Sequence, residues 1–533
     1  VSGPLARPAD PRHRHFLENF VELGSDTAVG PETADTFPKF VRATAAAYGD
    51  RVAVRLAGPT IPDEAIGFAG LERRSAELAR GLLARGVGKG TRVGFICGNG
   101  PFFVVTLAAI ARIGAVAVPI STLIKANELV RVLRQSDIGG LIVQRTLLGY
   151  DYVERLCDAL PELRDAAGPD LRLAKAPYLR WIASTGDGLP PSIGDVDDIF
   201  AASASVTEEL LREVEAEVHP TDQLFEIYTS GSMALPKGVK HNHGPVLFRI
   251  HYIRRMMQVP GAAELPASLP MFWVGGLMIF LFPAWEAGST MVCTERTVTD
   301  SRMAMGSVLA KEDLDAQPRG VVSWALGMTE TLGPYSFGNE FRAEGYPVCA
   351  PIDNVAERYE LRVADEENRP VANGEIGEIQ VRGYPVTSGL HKVEAAYNFT
   401  PDGFYRTGDQ GLVEGERVHF VGRAGDMIKT GGSNVSPAEV EMEIQELDGV
   451  HSAYVVGLPD TERGQLVAAA VVPRDGVELD FEALQAALRA RLSSFKVPRA
   501  YVAIARDEVP MLPSNKVARR QIVDLVAARL GRA

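Results

Sequence analysis

Apolar positions recur along this chain with two periods, and the alternation between them sets the expected architecture. Leu71, Leu78, Leu82 and Leu83 fall on one face of a helix, and Arg92 to Cys97 then reads as a buried strand. A second helix over Phe102 to Arg112, a strand over Ala115 to Ile120, a helical Asn127 to Arg134 and a strand over Gly140 to Val143 continue the series. Strands alternating with helices imply crossover connections and parallel strands. The pattern restarts after residue 422. Ser436-Pro437-Ala438-Glu439 has the form of a capping box with proline at the first helical position, and Val440, Ile444 and Leu447 extend one apolar face from it. Strands fit His451 to Val456 and Leu466 to Val472, followed by a helix from Phe481 to Leu492 and another beginning near Lys516. The fold class expected is therefore α/β: a large N-terminal α/β domain over residues 1–422, with more than one sheet, and a small α+β domain over residues 423–533. The longest apolar run, Leu269 to Trp285, is broken by Pro270, Gly275, Gly276 and Pro283, which suits a buried helix beside a pocket better than a membrane span.

The densest chemistry lies in Tyr228-Thr-Ser-Gly-Ser-Met-Ala-Leu-Pro-Lys237-Gly238, directly behind the apolar run Leu224 to Ile227. Glycine backbone N–H groups and short hydroxyls can wrap phosphate oxygens, and a lysine supplies a positive charge that follows phosphate as it leaves. The stretch is not the common P-loop, in which Gly-Lys-Ser/Thr closes the loop and opens a helix; here Pro236 precedes Lys237 and Gly238-Val-Lys-His-Asn-His follows. An ordinary polar turn between two strands is the plainer alternative for this stretch taken alone.

Further motifs follow in order, and together they resemble the adenylate-forming superfamily of acyl-CoA synthetases, luciferases and nonribosomal adenylation domains. The loop is similar to that family's phosphate-binding signature, Gly327-Met-Thr-Glu330 to its nucleotide and metal motif, and Tyr405-Arg-Thr-Gly-Asp409 to its ribose motif. Gly422-Arg-Ala-Gly-Asp426 resembles the interdomain hinge, and Gly431-Gly432-Ser-Asn434 and Leu512-Pro-Ser-Asn-Lys516 complete the set, so the likeness runs from about Thr36 onward. It implies that Thr229, Ser230, Gly231, Ser232 and Lys237 hold the β- and γ-phosphates of ATP, that Thr329 bonds the α-phosphate, and that Glu330 ligates Mg²⁺. It further implies that Asp409 accepts from the ribose hydroxyls with Arg423 as a second ribose contact, that Gly425 is the hinge, and that the small domain is mobile. Lys516 on that domain would bridge the substrate carboxylate and α-phosphate, where charge changes most in the transition state. Gly431 and Gly432 would let the thiol arm of coenzyme A pass close to the backbone.

Composition fits without selecting this reading. With 533 residues, 46% of them hydrophobic, the chain can bury substantial cores in two or three domains. A net charge of −13 argues against a nucleic-acid surface as the main business, while a local basic patch could still serve an anion such as coenzyme A. Cys97, Cys157, Cys293 and Cys349 show no paired spacing for zinc or redox work, which suits a reducing cytoplasm, and the polar, proline-broken start Val1-Ser-Gly-Pro has no apolar core of a signal peptide. His241 and His243 lack further ligands nearby in sequence and are expected to be loop histidines.

Several positions depart from the family pattern. Met233 and Ala234 stand where threonine and glycine are usual, Leu326 where a tyrosine often stacks on adenine, and Gly425 where aspartate or lysine marks the hinge. The interval from Thr294 to Leu326 is short by several dozen residues and shows no match to the family's small adenine motif, so either residues are deleted there or the sequence joins two ends around others. Met271-Phe-Trp-Val-Gly-Gly-Leu-Met-Ile-Phe-Leu-Phe282 is apolar and lacks the aspartate that amino-acid-activating relatives pair with an α-ammonium. Trp273, Gly275 and Gly276 are therefore expected at a pocket for a fatty, aryl or alicyclic acid, Trp273 standing at the boundary with the pantetheine channel. The expected activity is an ATP- and Mg²⁺-dependent acyl-CoA ligase of the AMP-forming kind. Alternatives are an acyl-AMP ligase that loads a carrier protein in trans, no carrier domain following Ala533, and a relative with impaired catalysis; a homodimer is compatible with all three.

Overall fold

The computed structural model describes residues 30–58, 63–122, 124, 126–147, 149–229, 236–267, 269–294, 324–338, 354–415, 417–425, 427–430, 433–435, 437–460, 464–492, 496–511 and 517–532. The helices expected from the apolar pattern form at Phe68–Ala84, Pro101–Arg112 and Ala126–Ser136, and the strands at Arg92–Ile96, Val116–Pro119 and Gly140–Val143. Leu71, Leu78 and Leu82 are buried, while Leu83 lies partly buried against the same core.

An eight-stranded sheet organises the large part of the chain. Its order runs Gly389–Leu390, Lys237–Asn242, Gln223–Thr229, Val116–Pro119, Arg92–Ile96, Gly140–Val143, Trp181–Ser184 and Gly194–Asp195. From Gln223–Thr229 to Gly194–Asp195 the neighbours are parallel, whereas Lys237–Asn242 and Gly389–Leu390 add antiparallel to one edge. The parallel strands are near-continuous apolar runs because helices cover both faces. Pro101–Arg112, buried from Phe103 to Arg112, lies in the main core with Phe68–Ala84.

A second sheet joins segments far apart in sequence. Val52–Ala57 pairs in parallel with Thr290–Thr294, Val54 opposite Met291. The helix Phe37–Tyr48 docks beside that junction: the Phe37 ring meets Phe282 at 5.5 Å and Trp285 at 5.8 Å between centroids. Trp285 Nε1 donates to Thr44 Oγ1 at 2.9 Å, and Tyr48 donates to Glu286 O at 2.6 Å.

An antiparallel sheet of Tyr359–Ala364, Ile376–Gly383, Tyr405–Glu414 and Arg417–Arg423 follows. Beyond it, Gly464–Pro473 pairs antiparallel with Val450–Asp460 and parallel with Ala500–Ala503, and the helices Pro437–Gln445, Phe481–Arg491 and Arg519–Arg529 complete an α+β unit with its own two cores. Pro437 opens its helix as the sequence implies; the expected capping residue Ser436 lies outside the described residues. The apolar run Leu269 to Trp285 becomes a π-helix, Gly276–Leu281, followed by an α-helix, Phe282–Glu286, both buried. Among the described residues no helix is long and apolar enough to cross a membrane.

Candidate active site

The phosphate-loop candidate is the connection of a β-hairpin. Gln223–Thr229 and Lys237–Asn242 pair antiparallel, with Thr229 opposite Lys237, Tyr228 opposite Gly238 and Glu226 opposite Lys240. Ser230, Gly231 and Ser232 lie outside the described residues, as do Met233 and Ala234. Lys237 opens its strand exposed to solvent. Below it a largely buried charge network anchors the first stem to other parts of the chain. Glu226, fully buried, accepts from Tyr228 Oη at 2.5 Å, from Arg92 Nε at 3.2 Å and from Gln223 Nε2 at 3.2 Å. Arg92 in turn donates to His391 Nδ1 at 3.3 Å, and His391 Nε2 donates to Asp137 at 3.1 Å, where Lys392 also binds at 2.6 Å. Burial and then the Glu226 carboxylate push the Tyr228 phenol well above its ordinary range, so it stays a donor. Gly238 is required by contact: a Cβ there would lie 2.4 Å from Glu226 Oε1 and 2.7 Å from Tyr228 Oη. The pattern reading passed over this network; its one sequence signal is a glutamate inside the apolar run Leu224 to Ile227.

The nucleotide and ribose motifs lie in two further sheets and meet through side chains beside the Lys237–Asn242 strand. Thr329–Thr331 is a single 3-10 turn after the strand Trp324–Met328, and Gly327 crosses Gly333 so closely that a Cβ would stand 2.4 Å from its carbonyl oxygen. His241 Nε2 donates to Thr329 O at 2.8 Å, which joins the Lys237–Asn242 strand to this turn. Thr387 makes a second link, its N–H donating to Glu330 O at 2.7 Å and its hydroxyl to Lys240 O at 2.7 Å. The Glu330 carboxylate accepts from Tyr405 Oη at 3.2 Å. Four residues along that strand, buried Asp409 pairs with Arg423 Nε at 2.9 Å from the next strand. Desolvation outweighs that attraction, because the guanidinium is largely in water, and Glu330 and Glu378 add repulsion; the Asp409 carboxyl is pushed up to about 6. Hydrogen bonds thus join Thr329, Glu330 and Tyr405 to the base of the Lys237 hairpin, and the Asp409–Arg423 pair stands farther along the Tyr405 strand, within electrostatic reach of Glu330. Gly425 follows in an exposed turn.

On the apolar side, Trp273 is half-buried and packs edge-on against Phe272, with centroids 5.5 Å apart. Gly275 and Gly276 are buried: a Cβ on Gly276 would stand 1.9 Å from Pro270 O. Lys516, Gly431 and Gly432 lie outside the described residues. His241 and His243 are not loop residues. The first sits within the Lys237–Asn242 strand and the second begins the helix His243–Met256, both buried. Burial pushes their pKa down to about 4 and about 3 respectively, so both rings are neutral. Among the described residues no three His, Cys, Asp or Glu side chains gather as a metal site.

The model of the AMP-binding enzyme family matches residues 41–316, and that of the AMP-binding enzyme C-terminal domain matches residues 439–516. The chain belongs to the AMP-binding enzyme family. Glu330, Asp409 and Arg423 lie between the two matched spans of this AMP-binding enzyme, and Lys516 closes the second. Similar proteins include a putative acyl-CoA synthetase YngI of Bacillus subtilis, 25% identical over 91% of this chain and 96% of the relative. Feruloyl-CoA synthase of Amycolatopsis is 29% identical over 86% of this chain and 93% of its own length. Among solved structures, the anthranilate CoA ligase AuaEII in complex with anthranoyl-AMP superposes with a TM-score of 0.72 at 19% identity, covering 92% of this chain and 98% of that one. ATP-bound MatB from Rhodopseudomonas palustris gives 0.69 at 21% identity over 91% and 98%. The α/β fold with a large N-terminal and a small C-terminal part is that of the adenylate-forming enzymes.

Proposed function

We propose that this AMP-binding enzyme is an acyl-CoA ligase that joins an apolar carboxylic acid to ATP as an acyl-adenylate and then transfers the acyl group to coenzyme A. The observation that carries this reading is the hydrogen-bonded link from the Lys237 hairpin through the Thr329–Thr331 turn to Tyr405, whose strand also bears the Asp409–Arg423 pair, with an apolar wall lacking an acidic partner for an amine. In it Asp409, once ionised, accepts from the ribose hydroxyls, and Arg423 holds that carboxylate in place. Thr329 bonds the α-phosphate, while Lys237 and the hydroxyls and backbone of Thr229, Ser230, Gly231 and Ser232 hold the leaving pyrophosphate. The donor set suits magnesium: one half-buried carboxylate, Glu330, kept in orientation by Tyr405, fits an ion that takes most of its ligands from phosphate and water. Bound there, Mg²⁺ would neutralise charge developing on the phosphates.

Adenylation needs the acid's carboxylate to attack the α-phosphorus, forming the C–O–P bond as the bond to pyrophosphate breaks. Lys516 supplies the positive charge at that point. Thioester formation then expels AMP as the coenzyme A thiolate attacks the acyl carbon, with Gly431 and Gly432 beside the thiol arm. We place the division between the two parts at residues 422 and 423, with Gly425 as the hinge, and the protein in the reducing cytoplasm, which suits the buried free thiols Cys97, Cys157 and Cys293. The test is a panel of medium-chain, long-chain, aryl and steroid-side-chain acids with ATP, Mg²⁺ and coenzyme A. The expected products are acyl-CoA, AMP and pyrophosphate. Acyl transfer only to an added carrier protein would move the acceptor, and ADP release or absent carboxylate-dependent pyrophosphate exchange would overturn the reading.

A further inference from the structure

The backbone that leads into the π-helix is gripped by a side chain from another layer of the fold. Asn99 lies between the strand Arg92–Ile96 and the helix Pro101–Arg112. Its Nδ2 donates to Leu269 O at 3.0 Å, and its Oδ1 accepts from Met271 N at 2.8 Å. One planar amide therefore satisfies backbone groups on both sides of Pro270, as a neighbouring strand would. Gly276 also presses on Pro270 with no room for a Cβ, and Pro270 O accepts from Trp273 N at 3.1 Å. Trp273 O then accepts from Leu277 N at 3.1 Å at the entry to the π-helix. The turn from Leu269 to Trp273 is held at each end and in its middle, and the indole it carries faces only part of the core.

We propose that Asn99 is the positioning residue of the acyl-pocket wall: its carboxamide fixes the Leu269–Met271 backbone and, through that turn, the indole of Trp273, so that it sets which apolar acids are accepted. This rests on the acyl-CoA ligase reading. The nucleotide groups stand on other elements, the Lys237 hairpin and the Tyr405–Arg423 strands, so loosening the clamp acts on the acid and leaves ATP alone. A merely structural role would lower stability and move both substrates together.

The experiment uses the full chain with Asn99→Ala and Asn99→Asp, measuring KM for ATP and for a graded series of straight-chain and aryl acids. Asn99→Ala is expected to raise acid KM by roughly tenfold, the effect of losing about one well-made hydrogen bond pair, and to flatten selectivity across the series, with ATP KM within about twofold of wild type. Asn99→Asp keeps the acceptor for Met271 N but sets a carboxylate oxygen against Leu269 O, so its effect is expected to be at least as large; either variant carries the comparison if the other is not recovered folded. Adding Trp273→Ala to Asn99→Ala should cost much less than the sum of the two. Acid and ATP KM rising together, or unchanged selectivity in folded variants, would overturn the clamp. Wild-type protein inactive on every acid would instead overturn the ligase reading. The clamp is then decided by how well each acid displaces a fluorescent fatty-acid probe, and equal displacement from wild type and variants would overturn it.

Discussion

Asp409 is a carboxylate whose useful form is opposed by its surroundings. Only the ionised group accepts hydrogen bonds from both ribose hydroxyls, yet burial raises its pKa to about 6. In the free protein the sign follows: stability from the protonated form is fully present below its ordinary 3.8 and is lost as pH rises through about 6. ATP binding has the opposite sense, because it selects the ionised form. ATP KM should climb as pH falls below about 6, approaching roughly tenfold per unit, while acid KM changes little. In Asp409→Asn this rise should flatten from an already higher KM; titration of ATP itself is common to both proteins. Neutral His241 and His243 act on stability with a different sign. Their folded pKa values of about 4 and about 3 lie below the ordinary 6.5, so the stability they hold is complete above 6.5 and falls as protons bind the unfolded chain at lower pH. At about pH 5 the loss is roughly 2 kcal/mol for each ring. His241→Gln, which keeps a donor for Thr329 O, should remove one ring's share of the pH slope in denaturant melts.

At the scale of elements, the hairpin that carries Lys237 is stiffened by a network whose members lie far apart along the chain: Arg92 and Glu226 are 134 positions apart, and Arg92 and His391 are 299 apart. Gly238→Ala would push a methyl group into Glu226 and Tyr228 and should cost ~1–3 kcal/mol, read as a lower denaturant midpoint at unchanged slope, together with a higher ATP KM. Glu226→Gln removes the charge facing Arg92 and should do the same without overpacking. The regular elements were legible in the sequence because each apolar run has one dominant period: Arg92–Ile96 and Gly140–Val143 are buried on both faces, and Pro101–Arg112 has helical length. The π-helix was not legible. Pro270, Gly275, Gly276 and Pro283 signal interruption, and the close approach of Gly276 to Pro270 O, which no pattern reveals, accompanies the winding. The strand and helix positions of His241 and His243 were also missed, since their polarity masks a burial that tertiary contacts impose.

For the molecule as a whole, the ordered motifs carried the family and the two-part α/β fold, because each motif is local and their order survives without knowledge of the intervening structure. What joins them is not local: the bridge from Lys240 through Thr387 to Glu330 uses a threonine outside every motif. Rotation of the small part about Gly425 is our proposal, and it has two tests. Lys516→Ala should lower adenylation by roughly 10²–10³ while leaving thioester formation from supplied acyl-adenylate much less affected. Equal losses in both half-reactions would argue against rotation. A Cβ on Gly425 meets nothing within 4 Å, so Gly425→Asp should fold normally, with a gain of roughly 0.4–1 kcal/mol from the unfolded chain. Its rate effect should fall on the partition between half-reactions; a change confined to acid KM would remove it from the hinge.

The docking of Phe37–Tyr48 against Phe282 and Trp285, and of Val52–Ala57 beside Thr290–Thr294, has a consequence for synthesis on the ribosome. Glu64–Gly67 and Phe68–Ala84 reach these elements early, but their partners Phe282, Trp285 and Thr290–Thr294 are made only some 240 residues later. At ordinary elongation rates that is a wait of roughly 10–50 s. Throughout it, the side of Phe37 and Phe40 that meets Phe282 and Trp285, and the edge of Val52–Ala57 that meets Thr290–Thr294, stand open to whatever else can bind an apolar face, so the nascent chain is a client for holding chaperones before its own interior is complete.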